Sequence, residues 1–541
     1  MMKRRFLWVQ LLAIALWFSC GSFAYADAVP APTEQRPEPV TAQFIPERSP
    51  LFVALQNPKS LLTGGPPSSL SQWPQALLAT AGVDYRRDIQ PCVDKELAFA
   101  LAGPVRDHDY LFAWTTQGGK DAQSCIEQLW QRQINAGQPL NFEQHNGVSL
   151  ISTQLQAPKP LAADLSALQP FQNLATAIVD DRTILLANSA SVLKSAIENE
   201  QNLTTNVDYR KAISNLQQGP QDAFIYADLS AFSKSSPPPY RALAVQLGKA
   251  RQGILAETVL VADSEQRGTL VTPTVSAPLT ALNYVPASSP LVASGVNLQQ
   301  LWDQINTDLK GYDALDGWVH RLLKQGGEHW SVNLTRDIFP AVTGEYAVAM
   351  LPSYDPFTAA QASFLGADWL FIHDRTEKNQ KLSDILNKTA QQQNIGVIPY
   401  ALGDHQVSTW AHLVPSAPAA SESSGTMVLN AEVTGAFAIE AEHKILGTSL
   451  DALKQGLAGD ALPQQKGFQA ALSALAEPNQ GYLYIDWPVL KPMLERKIPK
   501  LRQWEALIAP WNQTLTSITA TNYGETAAVQ RSQILLRFSD S

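Results

Sequence analysis

A serine and a lysine with the spacing of a known nucleophile motif lie in the first half of the chain. Ser191 and Lys194 form the pattern S-x-x-K, which in penicillin-binding proteins provides a serine nucleophile beside a lysine. The companion patterns S-D-N and K-T-G do not occur, and a similar tetrapeptide at 451–454 has Asp451 in place of the serine. Because Ser and Asp both favour the first position of a helix, we interpret both tetrapeptides as helix starts.

The histidines could provide metal ligands or a general base. Histidine is grouped with carboxylates in the segment DHD at 107–109 and in the pair His373-Asp374. A bound metal needs three or four donors that converge, and we expect the first group to lie in a solvated loop. His405 and His412 are seven residues apart, which places them on opposite faces of an unbroken strand. P-loop, G-x-G-x-x-G, G-x-S-x-G and H-E-x-x-H patterns are absent, so we predict no catalytic residue, metal ligand or cofactor.

A longer motif that contains charged residues occurs twice. RDIQPCVDKELAFALAG at 87–103 matches RDIFPAVTGEYAVAMLP at 336–352. Both copies end in alternating small and larger apolar residues, which predicts a strand buried on both faces. Each copy has a proline that disfavours helix for the residue before it, so we predict a turn or helix end at the start of the motif. The polar residues that recur in register are Arg87, Asp88, Glu96, Arg336, Asp337 and Glu345.

The two repeated glutamates need partners if they are buried, because an unpaired buried carboxylate is costly. Arg87 and Arg336 are the nearby cations in the sequence, and they are the candidate partners of Glu96 and Glu345. We interpret the motif as a structural element that was copied with the rest of a domain, rather than as an active site.

Other segments recur in the same order, with offsets of 240 to 260 residues. Self-similarity over so long a period indicates a duplicated domain rather than short repeats. We predict two tandem copies, copy one at 43–275 and copy two at 283–541. The matched segments are 44–55 with 284–295, 109–115 with 368–374, 185–197 with 445–457, and 224–232 with 482–490.

Within each copy, short alternating strands are joined by tight turns and interrupted by helical stretches. The dipeptides Asn146-Gly147 and Asp180-Asp181 indicate two of these turns. Consecutive strands joined in this way form antiparallel sheets. The predicted fold class is therefore α+β, as two tandem copies of an antiparallel sheet with helices packed on one face.

The N-terminus has the features of an export signal. MMKRRFLWVQLLAIALWFSCGSFAYADA combines positive residues, an apolar stretch and an A-x-A site, which predicts a signal peptide at 1–26. A Pro-rich linker at 27–42 follows, and we expect the low-complexity stretch at 414–426 to be disordered. The alternative to cleavage is an uncleaved N-terminal segment that anchors the chain to a membrane.

Charge and cysteine content limit the partners and the compartment. The chain of 541 residues has a formal net charge of -9. It has no basic run after the N-terminus, which argues against a nucleic-acid partner. After the signal only Cys92 and Cys125 remain. They could form one disulfide in an oxidising compartment, and the alternative is two small buried thiols.

One apolar stripe bears on ligand binding. Leu298, Leu301, Trp302 and Ile305 recur at helical spacing. The stripe favours packing against the core, and the alternative is an apolar groove for a lipid or pigment.

FIPERSPLFVAL and RDIQPCVDKELAFALAG together resemble an uncharacterised family of exported bacterial proteins of similar length, met chiefly in cyanobacteria, that is known as a domain of unknown function. The family pattern often has Trp-Leu-Gly where this chain has Cys92-Val93-Asp94. The resemblance implies an exported protein with one architecture over nearly the whole mature chain. It carries no enzymatic activity, so it assigns no catalytic residue.

From these patterns we expect an exported, non-enzymatic binding or structural protein of the periplasm or thylakoid lumen, which could attach to a membrane-associated protein complex. One alternative is a carrier that holds an apolar ligand between sheet and helices. The other alternative is a hydrolase with a non-standard site, which requires clustered Ser, His and carboxylate side chains.

Overall fold

The computed structural model describes residues 38–56, 58, 72–104, 109–155, 170–198, 200–217, 222–232, 239–251, 253–262, 275–309, 313–328, 332–352, 367–375, 377–416, 428–497, 514–526 and 528–539. The predicted signal peptide, the linker up to residue 37 and residues 417–426 of the predicted disordered stretch lie outside this part of the chain. So do His108 and its neighbour Asp107. No helix in the described ranges is both long enough and apolar enough to cross a bilayer.

Within the described residues, the first half of the chain contributes ten strands and the second half another ten, all in one sheet. The first-half strands are β1 (Leu51–Gln56), β2 (Glu96–Leu101), β3 (Tyr110–Thr115), β4 (Asn141–His145), β5 (Val148–Gln154), β6 (Asn173–Val179), β7 (Thr183–Ala187), β8 (Ala223–Asp228), β9 (Tyr240–Ala250) and β10 (Gly253–Ala262). The second-half strands are β11 (Leu291–Val296), β12 (Glu345–Pro352), β13 (Ala367–Asp374), β14 (Gly396–Leu402), β15 (His405–Ser416), β16 (Val428–Glu440), β17 (His443–Gly447), β18 (Gly481–Asp486), β19 (Leu515–Glu525) and β20 (Val529–Phe538).

The helices lie between these strands, and each half also has short 3-10 and π turns. The α-helices are α1 (Gln72–Ala79), α2 (Gly119–Asn135), α3 (Ala190–Ile197), α4 (Val207–Ser214), α5 (Leu298–Asp308), α6 (Asp313–Glu328), α7 (Glu377–Gln392), α8 (Leu450–Leu457), α9 (Lys466–Leu472) and α10 (Trp487–Lys497). The short turns that matter below are Val40–Phe44, Tyr85–Ile89, Gln90–Cys92, Thr280–Tyr284 and Leu334–Ile338.

Every strand pairing is antiparallel, and the two halves have the same strand order. The first half runs β4-β5-β6-β7-β3-β2-β1-β8-β9-β10. The second half runs β14-β15-β16-β17-β13-β12-β11-β18-β19-β20. β10 pairs with β20 and joins the halves, from Gly253 opposite Arg537 to Val261 opposite Val529. The fold is therefore α+β with one continuous antiparallel sheet, whose outer described strands are β4 and β14.

The hairpin turns form where the sequence indicates them. Asn146 and Gly147 have φ of 47° and 78° between β4 and β5, and Asp180 and Asp181 have φ of 50° and 57° between β6 and β7. Two successive left-handed residues twist a hairpin in the direction that its strands require, and Asn, Asp and Gly adopt this conformation at the lowest cost.

Helices cover both faces of the sheet, so the expectation of one covered face is wrong. In the first half, one face buries Phe52 and Leu111 against α3 and α4. The opposite face buries Phe99 and Trp114 against α1 and α2. The physical reason is the composition of the central strands, because β2 is buried along almost its whole length. Strands that are apolar on both sides need cover on both sides.

The folded units begin earlier than the predicted boundaries at 43 and 283. The 3-10 turn Val40–Phe44 belongs to the fold, and Thr41 and Ala42 inside it are fully buried. The equivalent turn in the second half is Thr280–Tyr284. Val275, placed at the end of copy one, pairs with Asn479 and packs in the second-half core. The strand β15 also extends to Ser416, so the predicted disordered stretch starts too early.

A disulfide joins Cys92 at the end of a 3-10 turn to Cys125 on α2, with their Cα atoms 6.2 Å apart. The side chain of Arg132, about two turns further along α2, forms an ion pair with Asp88. Two links therefore hold the start of the repeated motif against α2. The covalent link closes a loop between residues that are 33 positions apart.

Replacing both Cys92 and Cys125 by alanine should lower the free energy of unfolding by about 2–4 kcal/mol, because the disulfide restricts the unfolded chain. Urea unfolding of the mature protein measures this loss. Dithiothreitol should produce a similar loss in the wild-type protein and none in the double variant. An unchanged urea midpoint after complete reduction would contradict the prediction.

Candidate functional site

The glutamate of the first repeated motif caps a short helical turn. Glu96 is 5% exposed at the start of β2. Its carboxylate accepts hydrogen bonds from the backbone N–H groups of Val40 and Thr41, both at 2.9 Å, and from the hydroxyl of Thr41. The first N–H groups of a helical turn have no partner within that turn, so a buried carboxylate at this position satisfies them.

The second copy of the motif forms the same cap. Glu345 Oε2 accepts from the backbone N–H of Thr280 at 2.8 Å, from its hydroxyl at 2.7 Å, and from the N–H of Ala281 at 3.2 Å. The repeated glutamates therefore hold the first turn of each unit against the sheet. This contact spans 55 residues in the first half and 65 in the second.

The candidate pairing of the repeated arginines with these glutamates is wrong. Arg87 Nε lies 2.9 Å from Asp88 Oδ1, and Arg336 Nε lies 2.7 Å from Asp337 Oδ1. Each arginine turns to its own neighbour because both residues belong to one short π turn, while the glutamate faces the 3-10 turn. The Arg336 guanidinium holds the pKa of the Asp337 carboxyl below its usual value through a hydrogen bond.

Substitution of Glu96 by glutamine should destabilise the protein by about 1.5–3 kcal/mol, because the amide replaces a carboxylate that accepts three hydrogen bonds. Glu345→Gln should cost less, since Glu345 is only partly buried. Urea midpoints of both variants test this order. The exposed Glu143→Gln is the control and should change stability by less than about 0.5 kcal/mol. Equal effects of Glu96→Gln and Glu143→Gln would contradict the capping role.

In the second half, the capping glutamate lies beside a carboxylate and an imidazole. Glu345, Asp374 and His443 belong to the adjacent strands β12, β13 and β17, and each offers a donor atom within 4.8 Å of the others. Asp374 Oδ2 accepts from the backbone N–H of Glu345 at 2.8 Å. His443 Nε2 lies 3.6 Å from Asp374 Oδ1 and 3.2 Å from the hydroxyl of Thr280.

The row of titratable side chains continues over two more strands. His443 lies opposite Glu440 in the register of β17 and β16, and Glu440 Oε1 is 2.7 Å from Nδ1 of His405 on β15. We call Glu345, Asp374, His443, Glu440 and His405 the acid–imidazole row. The ring of Tyr284 is 5.5 Å from the ring of His443, between centroids.

The equivalent row of the first half has the same cap but different chemistry. Thr115 Oγ1 accepts from the backbone N–H of Glu96 at 3.1 Å, as Asp374 does from Glu345. Thr115 lies opposite Thr183, and Thr183 lies opposite Val179. Glu96 is therefore the one charged member of these four residues, and two threonines and a valine stand where the second half has Asp374, His443 and Glu440.

Burial and neighbouring charge determine the electrostatics of the acid–imidazole row. Burial raises the pKa of the Asp374 carboxyl, and the charge of Glu345 adds to this rise while the backbone N–H of Glu345 opposes it. The adjacent His373 points to the other face of the sheet and is fully buried, which lowers its pKa to about 4. Lys444 lies opposite His373, and burial lowers its pKa as well.

The buried His373 should make the protein sensitive to mild acid. Its folded-state pKa lies below the usual value of 6.5, so the unfolded chain binds the proton first and stability falls as the pH drops from about 6.5 to 4. From pH 6.5 to pH 4 His373 should lower the free energy of unfolding of the wild-type protein by an amount on the order of 3 kcal/mol. The variant His373→Phe should not show this decrease. Urea midpoints measured every half pH unit test this. A difference between variant and wild type that stays constant over the pH range would contradict it.

The acid–imidazole row has the components of a hydroxyl, imidazole and carboxylate triad but not its geometry. The hydroxyl of Thr280 donates to Glu345 Oε2. Both Thr280 and Asp374 approach the same ring nitrogen of His443, whereas a triad needs the base and the orienting carboxylate on opposite nitrogens. Three donors around one point are instead the arrangement that a cation requires.

The S-x-x-K tetrapeptide has a structural role. The Ser189 hydroxyl caps α3 by accepting from the N–H of Val192 at 3.3 Å, and Lys194 forms an ion pair with Glu143. At the equivalent helix α8, the cap is the Ser449 hydroxyl. The tetrapeptides therefore lie at helix starts, but Ser191 and Asp451 lie in the first turn and the capping residues are two positions earlier.

The apolar stripe of α5 packs inward at its start. Leu298 is buried and Leu301 packs with it in a second-half core cluster, and the Trp302 ring contacts Phe339 with centroids 6.0 Å apart. Near this cluster a depression of about 280 Å³, which includes space open to solvent, is lined by Leu386, Ala390, Gln393, Ile395, Trp410 and Thr434.

His443 was missed from the sequence, although the internal repeat contained a signal. The match of 185–197 with 445–457 has an offset of 260 residues, and extending it back by two residues places His443 at the position of Thr183. The earlier match of DYLFAWT with DWLFIHD places Asp374 at the position of Thr115. Both positions are uncharged in the first of the matched segments and titratable in the second, which is a signal that the sequence contains. That the two side chains meet in space depends on strand register, which the sequence alone does not show.

The fold and the site define an α+β protein with one continuous antiparallel sheet and a capping glutamate in each half. The chain belongs to the family described as "Protein of unknown function (DUF3352)", whose pattern matches residues 7–538. No curated protein matches the sequence.

Solved structures show only a weak likeness. Crystal forms I, III and IV of TP0453 align with TM-scores of 0.26, 0.25 and 0.25 at identities of 9%, 10% and 8%. The alignments cover 42%, 42% and 41% of this chain and 79%, 80% and 79% of those chains. At these values the likeness supports no argument about function.

Proposed function

We propose that the protein is an exported, non-enzymatic binding protein, built from two tandem copies of one α+β unit, that docks through the outer edge of its second half. The observation that carries the proposal is the exposed apolar surface of that edge. We define the second-half edge as β14 together with Leu413 and Val414 of β15.

The second-half edge exposes apolar side chains on both of its faces. Val397, Ile398 and Tyr400 are exposed on β14, which is open along almost its whole length. Gly396, the first residue of β14, lies opposite Ala411. Leu413 and Val414 on β15 therefore continue the apolar surface beyond the first residue of β14. Leu413 is 61% exposed. An apolar surface on the outermost described strand favours contact with another protein, because a partner strand can also satisfy the backbone groups of the edge.

The equivalent edge of the first half is polar. β4 has the sequence NFEQH, and Phe142 is its one large exposed apolar residue. Glu143 on this strand forms an ion pair with Lys194, and Nε2 of His145 lies 2.6 Å from Oε1 of Glu198. The two edges have the same place in the strand order, so the apolar character of the second-half edge is not a requirement of the fold.

The shared strand order and the shared glutamate caps support duplication, and the N-terminal sequence supports export. The Cys92–Cys125 disulfide is consistent with export, because disulfides persist in oxidising compartments such as the periplasm or the thylakoid lumen. A protein partner associated with the membrane would bring the exported chain to its site of action.

The depression at Trp410 does not support an apolar-ligand carrier. A carrier needs an enclosed apolar cavity of roughly 300–1,000 Å³. The depression at Trp410 reaches only about 280 Å³ with its solvent-open space included.

The second-half edge can be tested in the cell by crosslinking and purification of the full chain. The variant Tyr400→Lys with Leu413→Lys should lower recovery of the crosslinked partner at least tenfold, because two charges would be buried in the contact. Phe142→Lys on the first-half edge is the matched control and should retain recovery. Equal recovery with both variants would exclude this edge as the docking surface.

The same cells test the compartment and the type of partner. Cys92 and Cys125 should resist alkylation until a reductant is added, and the chain should fractionate outside the cytoplasm. Binding of the purified chain to protein-free lipid vesicles, with loss of that binding in the double lysine variant, would point to lipid and contradict a protein partner.

A further inference from the structure

We propose that Glu345, Asp374 and His443 form a binding site for a divalent transition metal ion such as Zn²⁺ or Mn²⁺. The site lies on the strands β12, β13 and β17 and does not include the second-half edge. Its existence does not depend on the proposed docking function.

The three side chains already approach the spacing of a metal site. Their donor atoms lie within 4.8 Å of one another, and His443 Nε2 is 3.6 Å from Asp374 Oδ1. Ligands held at about 2.0–2.2 Å in a tetrahedron are roughly 3.4 Å apart. Small side-chain rotations are therefore enough to bring the three donors onto one ion.

The donor types select the class of ion. One imidazole and two carboxylates are typical of Zn²⁺ and Mn²⁺ sites, whereas Ca²⁺ and Mg²⁺ prefer oxygen donors alone. Asp374 is 29% exposed and His443 only 8%. The ion would be reached from the carboxylate side, where water can complete the coordination.

The surrounding groups hold the donors in place. The hydroxyl and N–H of Thr280 fix Glu345 Oε2, and the backbone N–H of Glu345 fixes Asp374 Oδ2. The ring of Tyr284 packs beside His443. Such outer contacts orient ligands before the metal arrives and increase affinity.

The first half shows that the glutamate cap forms without a neighbouring carboxylate or imidazole. Thr115 accepts the same backbone hydrogen bond that Asp374 accepts, and the neutral Thr183 occupies the place of His443. The second half instead places two carboxylates side by side, which repel each other unless a positive charge is present. A cation between Glu345, Asp374 and His443 would offset this repulsion.

The test uses the untagged mature protein and titration calorimetry with Zn²⁺, Mn²⁺ and Ca²⁺. We expect one Zn²⁺ or Mn²⁺ per chain, with weaker binding of Ca²⁺. His443→Gln and Asp374→Asn should each lower the affinity at least tenfold, because each removes a direct ligand. His405→Gln is the matched control in the same row, and it should bind the metal as the wild type does.

A second variant tests the donors by adding them to the first half. Thr115→Asp with Thr183→His introduces the same three donors around Glu96, and it should raise the stoichiometry from one ion to two. The Co²⁺-loaded protein should show the visible absorption of a low-coordinate site, which His443→Gln should abolish.

Three results would overturn the proposal. The first is a wild-type chain that binds no Zn²⁺ or Mn²⁺ at 1 mM, a concentration on the order of weak extracellular metal sites. The second is binding that His443→Gln leaves unchanged, and the third is tighter binding of Ca²⁺ than of both transition metals. A grafted first half that gains no ion would show that these three donors are not sufficient.

Discussion

β10 and β20 pair along nine residues, from Gly253 opposite Arg537 to Val261 opposite Val529, and this pairing makes one sheet of two halves. The join buries polar side chains as well as apolar ones. Glu257 on β10 accepts from the hydroxyl of Tyr523 at 2.7 Å, and the hydroxyl of Tyr240 on β9 donates to Oε1 of Gln530 on β20. A slip of one residue would break both contacts and turn each side chain to the other face. The position of every other strand in one half relative to the other depends on this register.

The two capping glutamates have the same structural role, but their neighbours on the adjacent strand differ in chemistry. Glu96 and Glu345 hold equivalent turns, and the neighbour that accepts the next backbone hydrogen bond is Thr115 in one half and Asp374 in the other. Both neighbours satisfy the backbone. In the second half the same line of strands also carries His443, Glu440 and His405, which the cap itself does not require.

Local sequence patterns predicted the turns, strands and helix starts well, because these depend on interactions between residues that are close in the sequence. The Asn146-Gly147 and Asp180-Asp181 turns, the inward alternation of β2 and the helix caps near Ser189 all depend on neighbouring residues. The partner of Glu96 is Thr41, 55 positions away, and no nearby residue indicates it. His443 reaches Asp374 because β13 and β17 are neighbours in the sheet although a long stretch of chain separates them. Strand order and register determine such contacts, and periodicity in the sequence carries little information about either.

The central pairing also has a consequence for the number of open strand edges. A single half would have two, its outer strand and its last long strand, and each is a template for unwanted pairing. Joining the halves through β10 and β20 hides one edge of each, so twenty strands have no more open edges than ten would. Because corresponding strands meet antiparallel at the join, a lone half could form the same contact with a second copy of itself across a twofold axis. The join between β10 and β20 therefore provides within one chain the contact that two lone halves would have to form between separate chains.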